Sequence, residues 1–354
     1  MTITDTSSTV QAIFSLHVVT AGCALLLLVG AALLLAGQLA GGTGRPRRFM
    51  KFATGRFGTK THSSMGTHLF LMSGLFNLMV AYATIAAIVA LQTYIDSPFY
   101  VTSAYSYPSY VIPTGNRAST SYTKSICVLS FLYQCAMILM NASIVGAIWI
   151  HTNHLQTNGT GIKEPGFLSW IWNGFWIFAL LALGFASWAL GLERRGNGDA
   201  LLAYPSLIAY DYSIRTLFVT YVVIVIFAST SATVEAFLCW MGVKKNGVTG
   251  NKSKSALTRF VMFITPIVWI RNAFYVAQIV IIYYDETSWS RTTNQALAFL
   301  FIIFTELCDL GILALVLLGA WSFGRKQHHT PVVEKNRYTD GGREYMDGPV
   351  DGTT

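Results

Sequence analysis

Four charged residues lie within long apolar stretches of the sequence, where a charge is costly and is usually paired or hydrated. They are Glu235, Arg271, Glu306 and Asp309. Glu306 and Asp309 are three residues apart, a spacing that places both on one face of a helix. A guanidinium group is planar and binds carboxylates through parallel hydrogen bonds. The sequence therefore predicts an intramembrane cluster in which Arg271 meets both Glu306 and Asp309.

Helical geometry predicts that these three residues lie at nearly the same depth. At 1.5 Å per residue, Arg271 lies about 18 Å along its helix from Arg259. Asp309 precedes Trp321, near the end of the next helix, by about 18 Å, and Glu306 precedes it by about 22 Å. Because the single guanidinium group can balance the charge of only one carboxylate, the second carboxyl group must be protonated or must bind water or a substrate. The cluster is either a structural bridge or a functional element, namely a ligand counter-ion, a proton or ion relay, or a conformational latch.

Other polar residues in the apolar stretches are secondary candidates. Pro266 removes a backbone hydrogen bond and is expected to kink its helix, which suits a moving helix or a static bend. Glu235 lies about 9 Å from one end of its helix, where it can reach the interface or pair with Arg259 or His68. Three amides are expected to bond between helices or to line a cavity: Asn77, Gln134 and Asn141.

The composition indicates which kind of structure must hold these residues. Of the 354 residues, 53% are hydrophobic and 11% are charged, and the mean hydropathy is +0.50. Since an average soluble domain has roughly 25% charged residues, this composition excludes a soluble globular protein. It also excludes a disordered chain and a disulfide-rich secreted module. A polytopic membrane protein is the remaining class.

Seven apolar stretches are long enough to cross a bilayer as helices, because a hydrocarbon core about 30 Å thick requires roughly 20 residues. Their continuous apolar runs favour helices over the alternating strands of a membrane β-barrel. We predict an all-α, seven-helix membrane domain over residues 1–322 and a disordered, polar tail over 323–354. The predicted spans are about 11–39, 66–92, 125–150, 167–190, 216–242, 258–283 and 295–322.

The positive charges are distributed unevenly between the two sides of the predicted membrane domain, and this asymmetry predicts the orientation of the chain in the membrane. Of the 24 Lys and Arg residues, 17 fall on the side of the first, third and fifth loops and the tail, and 6 fall on the other side. By the positive-inside rule the N-terminus is outside and the C-terminus is cytoplasmic. The net charge of +8 therefore reports topology rather than nucleic-acid binding. Loop 41–65 is expected to attract anionic lipids, either weakly or as a specific phosphoinositide site.

The two longer outer loops, 93–124 and 191–215, are rich in tyrosine. Tyrosine is favoured at membrane interfaces because its ring is apolar and its hydroxyl group is polar. These loops form either an interfacial belt or lid over the bundle, or a recognition surface for an external ligand.

The sequence lacks the motifs of enzymes and cofactor proteins. The seventh span has no lysine for a retinal Schiff base, and the histidines are not paired at matched depths for two haems. It contains no phosphate-binding loop, nucleophile elbow or Cys/His metal framework. We therefore expect no enzymatic activity, no cofactor and no metal.

Two of the predicted helices carry a family resemblance. The run Pro266-Ile-Val-Trp-Ile-Arg271-Asn-Ala-Phe274-Tyr275, followed by Glu306, resembles uncharacterised fungal seven-transmembrane proteins. Those proteins share the pattern Pro-x-x-x-x-Arg-x-x-aromatic and a later mid-membrane acid. The lipid-translocating exporter group looks similar in the same helices, but this chain has Tyr275 where that group has a second Arg. The topology is also that of G-protein-coupled receptors, although their helix 3 and helix 7 motifs are absent.

These features support three hypotheses for a multi-pass protein of the lipid bilayer, in the plasma membrane rather than an internal membrane. The first is a receptor-like or sensor protein that would act on a cytoplasmic signalling partner at its basic face. The second is an exporter or lipid-handling transporter that uses the polar centre. The third is a structural organiser of the membrane.

Overall fold

The computed structural model describes residues 7–41, 65–94, 119–160, 167–196, 204–245, 251–283 and 291–326, and the elements found there are helices. The basic loop, most of the tyrosine-rich loops and nearly all of the tail lie outside the described residues. The helices are α1 (Ser8–Gly41), α2 (Met65–Tyr94), α3 (Ser119–Thr160), α4 (Phe167–Gly196), α5 (Tyr204–Lys245), α6 (Asn251–Tyr283), α7 (Arg291–Phe301) and α8 (Leu307–Lys326), with a π-helical segment Ile302–Glu306 joining α7 to α8.

Seven segments of these helices are long and apolar enough to cross a membrane, which confirms the predicted all-α fold and the number of candidate spans. The seventh combines α7, the π-helical segment and α8. The segments are Ser8–Gly37, Met65–Leu91, Val128–Gln156, Ser169–Leu190, Tyr212–Lys245, Leu257–Val280 and Ala296–Trp321.

Large apolar side chains cover much of the outer surface of the bundle. Leu26 on α1 is 73% exposed and Phe178 on α4 is 69% exposed. Monomeric soluble proteins rarely expose apolar area on this scale, whereas acyl chains of a bilayer would cover it. The exposed surface is therefore compatible with that of an integral membrane protein.

Helix α3 is the central helix, because it packs against α2, α4, α5, α6 and α8. Two glycines allow its neighbours to approach closely. A Cβ atom at Gly146 of α3 would lie 2.5 Å from the Phe70 ring of α2, and one at Gly184 of α4 would lie 2.7 Å from Ile138 of α3. Small residues commonly allow membrane helices to pack in this way.

A separate apolar cluster marks the end of the bundle at which α1 begins. It joins Val10 and Ile13 of α1 to Ile85 of α2, Tyr133 of α3 and Phe301 of α7. We call this end of the bundle the amino end.

Candidate functional site

The centre of the bundle holds a buried ion pair between α6 and α8. The Arg271 Nε lies 2.5 Å from the Asp309 Oδ1, and both side chains are fully buried. Two charges removed from water in this way must be paired closely, because an isolated buried charge is very costly. The structure thus brings together two of the three residues that the sequence analysis grouped.

Hydrogen bonds extend this pair to two further helices. The Arg271 Nη2 donates to the Asn141 Oδ1 of α3 and, at 3.1 Å, to the Tyr275 hydroxyl oxygen one turn along α6. The Tyr275 ring centroid lies 4.9 Å from the guanidinium carbon, within the range of a cation–π contact. The Asn141 Nδ2 donates at 3.0 Å to the Tyr221 hydroxyl oxygen of α5. We call these four residues, together with Asp309, the central network.

Glu306 does not join Arg271 as the sequence analysis expected. Its Oε1 instead lies 2.8 Å from the Nδ1 of His17 on α1, and both side chains are fully buried. The expectation of a single cluster failed because residues three apart on a helix still differ by about 60° in direction. Asp309 therefore reaches α6, whereas Glu306 reaches α1.

The π-helical segment ends at Glu306, next to this divergence. The Leu307 N–H bonds to the Ile302 carbonyl, the five-residue separation that defines a π-helix. Such segments are rare and are frequent at functional sites. This one contains Glu306 and contacts α1, α6 and α8.

The sequence analysis missed His17, although a depth count could have found it. His17 lies nine residues after Ser8, or about 14 Å along the first span. Glu306 lies ten residues after Ala296, or about 15 Å along the seventh span, which begins at the same end. Counting depth from the amino end as well as from the other end would have paired the two residues.

The structure places Glu235 in a different environment from that expected. The Asn173 Nδ2 of α4 donates to both carboxylate oxygens of Glu235, at 3.0 and 2.9 Å. The sequence analysis had considered the interface, Arg259 or His68 as its partner. Asn173 can donate to Glu235 because α4 packs directly against α5, which places the amide at the same level as the carboxylate.

The remaining secondary candidates lie in separate places. Asn77 is buried and donates to the Ser73 carbonyl of its own helix at 2.8 Å, so it does not bridge helices through this bond. His68 is buried near the start of α2. Pro266 lies within α6, which continues as a helix on both sides of it. Gln134 lines the cavity described next.

A cavity adjoins the central network in the half of the bundle nearer the amino end. It holds about 720 Å³ of space, its opening included, between helices α3, α4, α5, α6 and α7. Asn141, Tyr221 and Tyr275 belong to both the cavity wall and the central network. We call this space the α3–α7 cavity.

No group of three or more His, Cys, Asp or Glu side chains that could hold a metal ion is present among the described residues.

No protein-family model, curated protein or solved structure matches this chain. The family resemblance therefore stays a prediction, and function has to be argued from the site itself.

Proposed function

We propose that this chain is a receptor-like membrane protein that binds a small molecule in the α3–α7 cavity and senses it through the central network. The observation that carries the proposal is the double role of Asn141, Tyr221 and Tyr275, which line the cavity and bond to each other or to Arg271. With the amino end outside, as the charge distribution favours, the ligand would come from the outer side.

The coupling runs through the hydrogen bonds of Arg271. A ligand that bonds to Tyr275 or Tyr221 changes the surroundings of the guanidinium, which holds α6 against α8. Pro266 lies between Arg271 and the opposite end of α6, where a missing backbone hydrogen bond makes bending easier. A ligand shifts such an equilibrium only if it binds one arrangement of the helices better than the other.

Ligand binding can be tested by filling the cavity. Val222 of α5 lines it and is 4% exposed, whereas Val234 of the same helix is 43% exposed on the outer surface. Purified wild-type protein, Val222→Phe and the control Val234→Phe would be screened against small molecules of varied charge and polarity by thermal unfolding in nanodiscs. Compounds that stabilise the wild type and Val234→Phe, but not Val222→Phe, support the proposal. It fails if no compound shows this pattern.

A second measurement separates a receptor from an exporter. Spin labels would be attached at Met65→Cys on α2 and Met262→Cys on α6, both well exposed and toward the end opposite the amino end, after replacement of the five native cysteines. A receptor-like protein is expected to change this distance when a cavity ligand binds, without transporting it. Ligand flux into reconstituted vesicles would favour the exporter instead.

A further inference from the structure

We infer that the α3–α7 cavity is built for an uncharged, largely apolar molecule whose oxygen atom accepts hydrogen bonds from the Tyr221 and Tyr275 hydroxyls, as a ketone or ester carbonyl does. This inference rests on the proposed function, because it names the class of ligand that the same cavity would take.

The first argument is the charge of the cavity wall. Its described lining contains no Asp, Glu, Lys, Arg or His side chain. Arg271 lies behind the wall, but its charge is already matched by Asp309 at 2.5 Å. A charged ligand would therefore lose its hydration without gaining an unpaired counter-ion, and that loss is large in a medium of low dielectric constant.

The second argument is a hydrogen-bond count at the base of the cavity. A hydroxyl group has one hydrogen to donate and two lone pairs. The Tyr221 oxygen accepts from Asn141, and the Tyr275 oxygen accepts from Arg271. In the hydrogen bonds of the described part of the chain, both hydroxyl groups act as acceptors and neither acts as a donor. Both hydroxyls therefore have a donor left for a ligand atom, which has to be an acceptor.

The third argument is the character of the remaining wall. Of its 15 residues, four are polar, one is glycine and the other ten are apolar or aromatic. The six aromatic residues are Tyr133, Trp188, Phe218, Tyr221, Tyr275 and Phe301. The Trp188 indole N–H already donates to the Phe131 carbonyl at 3.1 Å, so this ring offers the ligand its apolar surface. Such walls favour a flat or cyclic hydrocarbon body.

Three probes of nearly equal shape test this inference. Methyl naphthyl ketone carries the acceptor, isopropenylnaphthalene replaces the carbonyl oxygen by a CH₂ group, and naphthoate carries a negative charge. Their binding would be measured by equilibrium dialysis against protein in nanodiscs, with empty nanodiscs and Val222→Phe defining binding outside the cavity. We expect the ketone to bind at least about tenfold more tightly than either of the others, since one net hydrogen bond contributes about tenfold and two hydroxyls donate.

The Tyr221→Phe variant tests the donor directly. It should weaken ketone binding about tenfold and leave isopropenylnaphthalene unchanged, whereas Tyr212→Phe, at a well-exposed position of the same helix, should change neither. A ketone that binds no better than isopropenylnaphthalene, including the case in which neither binds, overturns the inference. So does tighter binding of naphthoate in the cavity, but that result would leave the proposed function standing.

Discussion

Arg271→Ala tests whether the central ion pair holds the bundle together. The substitution leaves the Asp309 carboxylate fully buried and deprives Asn141 and Tyr275 of their shared donor. Removing one partner of a buried ion pair costs about 3–5 kcal/mol, because the other charge stays buried without compensation. We expect the free energy of unfolding to fall by about that amount, as measured by denaturant titration of the purified protein in mixed micelles.

A matched substitution and a double variant make this test specific. Arg259→Ala changes an exposed arginine of the same helix and is expected to cost at most about 1 kcal/mol. The double variant Arg271→Met with Asp309→Leu removes both charges, and it should be more stable than Arg271→Ala, since apolar pairs can replace buried ion pairs at little cost. If Arg271→Ala unfolds within about 1 kcal/mol of the wild type, the central pair does not stabilise the fold.

Three further substitutions probe the other contacts by the same unfolding titration. Glu306→Ala should cost about 1–3 kcal/mol, because the buried His17 loses its 2.8 Å contact with the Glu306 carboxyl group; an unchanged stability would show that this contact does not stabilise the fold. Gly184→Ala should cost about 1–3 kcal/mol through overpacking, whereas Gly174→Ala, with open space around it, should cost nothing; equal effects would contradict the close packing of α4 on α3. Asn173→Ala should cost about 1–3 kcal/mol by removing the donor of Glu235, and a neutral result would refute that contact.

The spans and the central ion pair could be predicted because they depend on distance along single helices. Apolar length locates the spans, and helical rise places Arg271 and Asp309 at one depth. The position of α1 beside the π-helical segment depends on which helices are neighbours, and hydropathy carries no such information. His17 was missed for that reason, and Glu306 was assigned to the wrong partner. The cavity could not be predicted from the sequence either, because its walls come from five helices that are distant in sequence.

The two acidic residues of the seventh span contact different helices, Glu306 contacting α1 and Asp309 contacting α6. Arg271 with Asp309 forms one buried pair, and His17 with Glu306 forms another. The first pair bonds to Asn141 and Tyr275 of the cavity wall through Arg271. On the function that we propose, a ligand in the cavity would act on the α6–α8 contact, whereas the second pair joins α1 to the π-helical segment. For this reason Glu306→Gln, which keeps a hydrogen-bonding group against His17, should leave ketone affinity unchanged, whereas Asp309→Asn should alter it. Equal effects of the two substitutions on affinity would show that the two pairs act as one.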